Sequence, residues 1–262
     1  MLRKLVKAVK NPQIIYNVIA WQGALRGVPL YNRFHPRPPL PPSGDLPELN
    51  EIYERMKLDT DISDHLPFLF AVGVRQQPRL MVELGVRGGD STFVLERVAR
   101  LCNSPLISVD IDDCSSVTNW DGWRFNQCDD VLFAARFGEY CTSEGLPSSE
   151  IDFLFLDTSH LYDHTVQELA AWMPLLSERG CLVLHDTNQH RTVRRQGGRY
   201  MLSIENPGVI TAVQEYLGCK LDTSQDFCAA TGNWLITHRA LSNGFTVIQK
   251  LEFAKNAKRQ AG

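Results

Sequence analysis

Two short segments of the 262-residue chain combine residue types that could do chemistry: Asp157-Thr158-Ser159-His160 and His185-Asp186-Thr187-Asn188. Each follows an almost unbroken apolar run, at 151–156 and 180–184, of the kind buried parallel strands carry. Adjacent strands would set Asp157 and Asp186 side by side at the carboxyl edge of a sheet. Two facing carboxylates need a proton or a cation between them, and oxygen ligands favour a hard divalent ion such as Mg²⁺. Such an ion would bind a hydroxyl, lower its pKa and fix its orientation. His160, three residues after Asp157, has the pKa range to take the hydroxyl proton. The plainer alternative is that Asp157 only closes a strand and His160 caps the next helix. The matching acid on a second strand favours the chemical reading.

A second constellation runs from Arg79 to Ser91: an apolar run, the acid Glu83, a turn holding Gly85, Gly88 and Gly89, then Asp90 and Ser91. Either of the last two can cap the helix announced by Phe93, Val94, Leu95, Val98 and Leu101. Glycine lets the backbone turn sharply and lets a ligand approach it. Dinucleotide turns usually space their glycines Gly-x-Gly-x-x-Gly; here the spacing is Gly-x-x-Gly-Gly. A carboxylate two residues before the first glycine would repel a pyrophosphate but attract an ammonium or sulfonium. S-adenosylmethionine (SAM) carries both charges. The pattern of acid, one residue, glycine turn resembles the first motif of the class I SAM-dependent methyltransferases. Without a ligand, the same residues make an ordinary strand-turn-helix with a solvated Glu83.

The elements that must position these residues alternate. Strands are expected at 79–85, 106–111, 124–128, 151–157, 180–186 and 233–238, with helices at 91–102, 130–141, 161–177 and 207–217. Further helices are expected near 46–58 and 64–74. Alternation of this kind means an α/β fold, a Rossmann-like doubly wound, mostly parallel sheet with helices on both faces. Val166, Leu169, Ala170 and Met173 fall at i, i+3, i+4 and i+7 and serve core packing. In such a sheet ligands bind beyond the carboxyl ends of the strands. Asp110 ends the second strand, 27 positions after Glu83; an acid there can accept both ribose hydroxyls. Asp112 and Asp113 are its neighbours, and a solvated acidic turn is the alternative. Asp129 ends the third strand, beside Asp130.

Over about residues 79–240 the chain resembles the metal-dependent small-molecule and sugar O-methyltransferases, a group spanning macrolide-sugar, cephalosporin-hydroxylase-like and, more distantly, catechol-type proteins. The resemblance rests on Asp157, His160 and Tyr162 after the fourth strand, the turn at Arg179-Gly180, and Leu184-His185-Asp186. Gly208 to Val213 and Gly232 to Ile236 look like the group's last helix and strand. The resemblance implies SAM held by Glu83, Gly85, Gly89 and Ser91, with Asp110 on the ribose and Asp129 facing the adenine amino group. It further implies Mg²⁺ held by Asp157 and Asp186, and His160 as general base. The chain departs from the group after Asp186: catechol-type enzymes have Asp-Asn there and macrolide-type enzymes Asp-Asp, whereas Asp186 is flanked by His185 and Thr187. The third protein ligand is left open. A metal-free enzyme and a non-catalytic SAM- or sugar-binding protein are the alternative functions.

The 44% hydrophobic content supports one packed domain, expected over 46–262, preceded by an arm at 1–45. Seven of the 27 basic residues lie in 1–44, which holds no acid, so the remaining 20 face all 30 acids. The net charge of −3 implies no nucleic-acid partner. Leu2, Leu5, Val6 and Val9 interleave with Arg3, Lys4, Lys7 and Lys10 as a basic amphipathic helix, suited to an anionic membrane surface or to packing on its own domain or a partner subunit. A second apolar stretch follows at 14–21. Residues 34–47 form a proline-rich, stiff linker. The seven cysteines have no Cys-x-x-Cys spacing, no apolar run approaches the roughly 20 residues that span a bilayer, and no signal-peptide core is present; a cytoplasmic protein with reduced thiols is expected. The loop 190–200 holds Arg191, Arg194, Arg195, Arg199 and the pair Gly197-Gly198. It reads either as a lid for an anionic group on a small-molecule or sugar-containing substrate or as a solvated basic loop.

Overall fold

The computed structural model of the chain describes residues 12–35, 46–146 and 148–251. The expected basic helix at 2–10 and most of the proline linker lie outside the described residues. The helices are α1 (Pro12–Phe34), α2 (Pro47–Met56), α3 (Leu66–Gln76), α4 (Asp90–Cys102), α5 (Asp130–Ala134), α6 (Phe137–Ser143), α7 (Tyr162–Trp172) and α8 (Gly208–Leu217). The strands are β1 (Met81–Leu84), β2 (Leu106–Asp110), β3 (Trp123–Gln127), β4 (Ile151–Leu156), β5 (Leu176–His185), β6 (Thr192–Arg194), β7 (Tyr200–Leu202), β8 (Phe227–Thr231), β9 (Trp234–Arg239) and β10 (Phe245–Lys250).

Eight strands form one sheet in the order β3-β2-β1-β4-β5-β10-β9-β8. The first five are mutually parallel, and β10, β9 and β8 run on as an antiparallel edge. Strand alternation divides the core. Leu80, Val82, Leu84, Leu154 and Leu156 join Phe133, Phe137 and Trp172 on one face. Met81, Phe153, Phe155 and Val183 pack on the other against Leu66, Leu69, Val94, Leu95 and Val98 of α3 and α4. A side chain points to alternate faces at each step, so Glu83 is carried onto the α4 face.

Three expectations need correction. The helix expected at 161–177 stops at Trp172 because Pro174 cannot donate to it, and β5 begins at Leu176. The helix expected at 130–141 divides at Arg136, whose φ of −112° and ψ of 8° leave helical values. The sheet also gains β8 and β10: β10 enters between β5 and β9, pairing Phe245 with His185 and Arg239. All seven cysteines are free thiols. No helix of the described residues is long and apolar enough to cross a membrane.

Candidate active site

The glycine turn is built by crowding. Gly85 has φ +86°, and a Cβ there would lie 2.1 Å from the carbonyl oxygen of Asp157. Gly89 has φ +77° and precedes α4; a Cβ on it would meet Val117 at 2.3 Å. Arg87, between them, is also left-handed at φ 49°. Asp110 closes the turn from β2: its Oδ2 accepts from the backbone N–H of Val86 (2.7 Å) and Arg87 (3.0 Å). Burial works against its charge, but these donors hold it below the usual carboxylate range.

Glu83 lies wholly inside. Ser91 Oγ (2.7 Å), Thr92 Oγ1 (2.9 Å) and Ser108 Oγ (2.6 Å) donate to its carboxylate, and burial pushes it up to about 7 in spite of them. Charge facing a ligand across open space is therefore not its position: Glu83 touches the cleft through Ser91, which does line it.

Asp157 and Asp186 follow β4 and β5 directly and face each other across His160. His160 Nε2 is 3.0 Å from Asp157 Oδ1 and 2.9 Å from Asp186 Oδ2. The adjacent-strand placement expected from the two apolar runs is what β4–β5 pairing produces. His160 and Asp186 both sit in the left-handed region, at φ 58° and 55°, a conformation non-glycine residues hold only when surroundings enforce it. For His160 the enforcing partner is Asn206, whose Nδ2 donates to the His160 carbonyl at 2.8 Å. Gly208 packs so close that a Cβ would stand 2.5 Å from that same oxygen.

His185, buried beside the pair, has Nδ1 3.3 Å from Asp157 Oδ2 and 3.5 Å from Asp186 Oδ1, within ion-pair reach but not aligned for hydrogen bonds. Burial opposes charge on both imidazoles, yet the two carboxylates push His160 up to about 10 and His185 up to about 9. Against its own burial, Asp157 is held well below the carboxylate range by those imidazoles, His185 foremost. Thr187 and Asn188, where relatives in the resembling group carry a further ligand, are turned elsewhere: Thr187 Oγ1 accepts from Thr246 Oγ1 (2.8 Å), and Asn188 Nδ2 donates to the Ala240 carbonyl (3.2 Å). Asp157, His160 and Asp186 each offer one ligating atom within 4.8 Å of the others, and His185 Nδ1 lies close to both carboxylates as well.

Two clefts open here. The larger, about 770 Å³, is bounded by Gly85, Ser91, Asp157, His160 and Asp186 on the sheet side and by Met201 and Leu202 of the β6–β7 hairpin opposite. The smaller, about 340 Å³, is lined by Asp110, Asp129 and His164 and shares Gly85, Arg87 and Asp157 with the first. Asp129 also caps α5, accepting from the Leu132 N–H at 2.9 Å. Gly89 lines neither.

The arginine loop is not a free lid. It forms the β6–β7 hairpin, and three of its four arginines face acids. Arg195, 3% exposed, pairs with Asp64 (2.5 Å) and Asp59 (3.3 Å); Arg199 pairs with Asp59 (2.6 Å), and Arg191 with Glu205 (3.2 Å). The sequence reading had no sign of these partners, of which Asp59 and Asp64 lie over 100 residues away. It also passed over Arg87, a cation inside the glycine turn that lines both clefts.

Residues 82–187 match the family model of a methyltransferase domain. The strand order is that of a Rossmann-like, mostly parallel α/β sheet, with the acid–glycine turn and the strand-end acids gathered at its carboxyl edge. Among solved structures it is similar to the MycE methyltransferase from the mycinamycin biosynthetic pathway in complex with Mg, S-adenosylhomocysteine (SAH) and mycinamycin VI. That match has 18% identity and a TM-score of 0.51, over 80% of this chain and 55% of that one. A second crystal form of MycE with Mg and SAH matches at 19% identity and a TM-score of 0.50, over 78% and 54%. An O-methyltransferase from Bacillus cereus in complex with SAH matches at 12% identity and a TM-score of 0.48, over 79% and 93%. The chain thus spans about half the length of MycE. No curated protein sequence matches it.

Proposed function

We propose that the protein is an O-methyltransferase that moves the methyl group of SAM to a hydroxyl of a small-molecule or sugar-containing acceptor. The observation that carries this reading is the Asp157–His160–Asp186 cluster, set beside the glycine turn in one cleft. SAM would be held by the turn at Gly85 and Ser91, with Asp110 and Asp129 lining the smaller cleft where its nucleoside end fits. Asp110 Oδ1 accepts from the Asp112 N–H at 2.9 Å and keeps a second lone pair for a ribose hydroxyl.

The donor set fits Mg²⁺: two carboxylates face each other, and Asp186 Oδ1 is buried with no hydrogen-bond partner. Bound between Asp157 and Asp186, Mg²⁺ would polarise the acceptor hydroxyl and offset the negative charge that now keeps His160 protonated. His160 Nε2 would take the hydroxyl proton. Asn206 and Gly208 hold the His160 main chain in place, and Met201 and Leu202 of the hairpin line the larger cleft. Orientation of the acceptor oxygen toward the methyl group supplies most of the acceleration. An anionic group on the acceptor would find Arg87 at the mouth of both clefts.

A second reading has its own support. The imidazoles of His160 and His185, both protonated, balance the two carboxylates, so the cluster is neutral without a metal. In a metal-free enzyme His160 must first give up its proton before it can act as sole base. Methyl transfer to candidate hydroxylated acceptors, with and without EDTA, separates the two. On the Mg²⁺ reading EDTA removes activity and Mg²⁺ restores it, and Asp157→Asn behaves like EDTA while leaving SAH affinity nearly intact. His160→Ala lowers turnover about 10²–10⁴-fold, the usual size of a general-base contribution. EDTA resistance with a dead His160→Ala leaves the metal-free enzyme; indifference to both removes the proposal.

A further inference from the structure

The loop from Asp157 to His160 divides its side chains between two clusters. Asp157 and His160 turn to the acceptor side. Thr158 and Ser159 turn the other way, to a second set of ligating groups that the reading above does not use. Thr158 Oγ1 donates to Glu168 Oε1 at 2.5 Å, and Ser159 Oγ lies 2.9 Å from His164 Nδ1. His164 and Glu168 stand one turn apart on α7, on the same face. Across from them Asp130, the first residue of α5, places Oδ1 3.1 Å from His164 Nε2. One ligating atom from each of Asp130, His164 and Glu168 falls within 4.8 Å of the others.

Two of these groups are incomplete in a way that points to a ligand. Asp130 is 7% exposed and Glu168 fully buried, yet Asp130 Oδ2 and Glu168 Oε2 are both without a hydrogen-bond partner. Buried carboxylate oxygens left unpaired carry a substantial desolvation cost. Either a proton is shared between them or a cation sits among them.

We propose that Asp130, His164 and Glu168 bind a second divalent metal ion, separate from the Asp157–Asp186 pair, that fastens α7 to α5 behind the Asp157–His160 loop. One imidazole and two carboxylates suit Mn²⁺ or Zn²⁺ better than Mg²⁺, which prefers oxygen alone and keeps much of its water. His164 is 27% exposed at its side chain and lines the smaller cleft, so an ion has a way in and room for water in its remaining positions. Ser159 on His164 Nδ1 fixes the ring so that Nε2 points at the site, the usual outer-shell arrangement for a ligating histidine. Because Thr158 and Ser159 hang on two of the ligands, occupancy would also stiffen the loop that carries Asp157 and His160.

Mn²⁺ is the probe, since it suits both sites and free Mn²⁺ can be counted by electron paramagnetic resonance independently of any acceptor or activity. The full chain should bind two Mn²⁺. Asp157→Asn with Asp186→Asn should leave one, and adding Glu168→Gln should remove it. His164→Gln, at the partly exposed ligand, should weaken the surviving site at least tenfold and serves if the buried substitution impairs folding. SAH binding measured on each variant reports whether the cofactor fold is intact. No Mn²⁺ on the Asp157→Asn, Asp186→Asn protein overturns the proposal and leaves a shared proton between Asp130 and Glu168. So does a surviving ion indifferent to both Glu168→Gln and His164→Gln.

Discussion

Gly85 shows how a residue can be picked out correctly for an incomplete reason. Its place two residues after an acid marked a tight turn, which the φ of +86° bears out, but the nearest obstacle to a side chain is the Asp157 carbonyl of the neighbouring strand end. Sequence carries the need for glycine; it does not carry the neighbour from 72 positions away. Glu83 is the stronger case. An acid in a strand could be solvated or face a charge, and only pairing and helix docking reveal three hydroxyls around it. Its folded-state value, about 7 against an ordinary 4.5, means the folded protein holds that proton more tightly than the unfolded chain. The penalty for ionising it therefore grows as pH rises from about 4.5 to about 7 and stays constant above. Relative to Glu83→Gln, the wild type should lose up to about 3 kcal/mol of stability across that window, read as the gap between denaturant midpoints at pH 5 and pH 8. A gap that does not change with pH would mean the hydroxyls keep the carboxylate charged throughout. Asp157, His160 and Asp186 were legible because each lies just past an apolar run. His164 and Glu168 were not, because an i, i+4 pair on an amphipathic helix looks like any solvated face until Asp130 is brought opposite.

Among the elements, the parallel half of the sheet and β9 were legible, whereas β8 and β10 were not. Strands buried on both faces are written as continuous apolar runs, whereas β8 has mostly exposed positions and lacks that signature. The β6–β7 hairpin was read as a basic loop since its arginines are visible and their partners distant. Its anchoring can be tested by contrast. Arg195→Met removes the guanidinium from the fully buried Asp64 side chain and should cost about 3–5 kcal/mol, the range for breaking a buried pair. Arg191→Met removes a pair exposed on both sides, 52% and 55%, and should cost no more than about 1 kcal/mol. Thermal melts of the two variants make the comparison. Equal, small losses would mean that the hairpin is held by its backbone and Met201 and not by the ion pairs.

Across the whole molecule, α1 packs on the β6–β7 hairpin, whose Met201 and Leu202 line the larger cleft. Asn32 Nδ2 donates to the Tyr200 carbonyl (2.7 Å), the Tyr200 N–H donates to Asn32 Oδ1 (2.9 Å), and Tyr31 meets Tyr200 edge to face. Beyond that contact α1 leaves Leu25, Leu30 and Phe34 exposed. On the proposed division at residue 45, deleting 1–44 should leave a core that melts cooperatively and binds SAH, because among the described residues the buried members of both hydrophobic clusters begin at Ile52. The acceptor KM should rise as the hairpin loses its cover. Loss of the cooperative melt would make the arm part of the core.

The position of β10 has a consequence for how the protein is made. Of the ten strands it is the last to leave the ribosome, yet it lies between β5 and β9 and pairs through Phe245 with His185, next to Asp186. At roughly 5–20 residues per second, the 60 positions from His185 to Phe245 leave the free edge of β5 open to any passing strand for about 3–12 s. A message truncated after Arg239 would encode every acid and imidazole discussed above and still yield a sticky, inactive product.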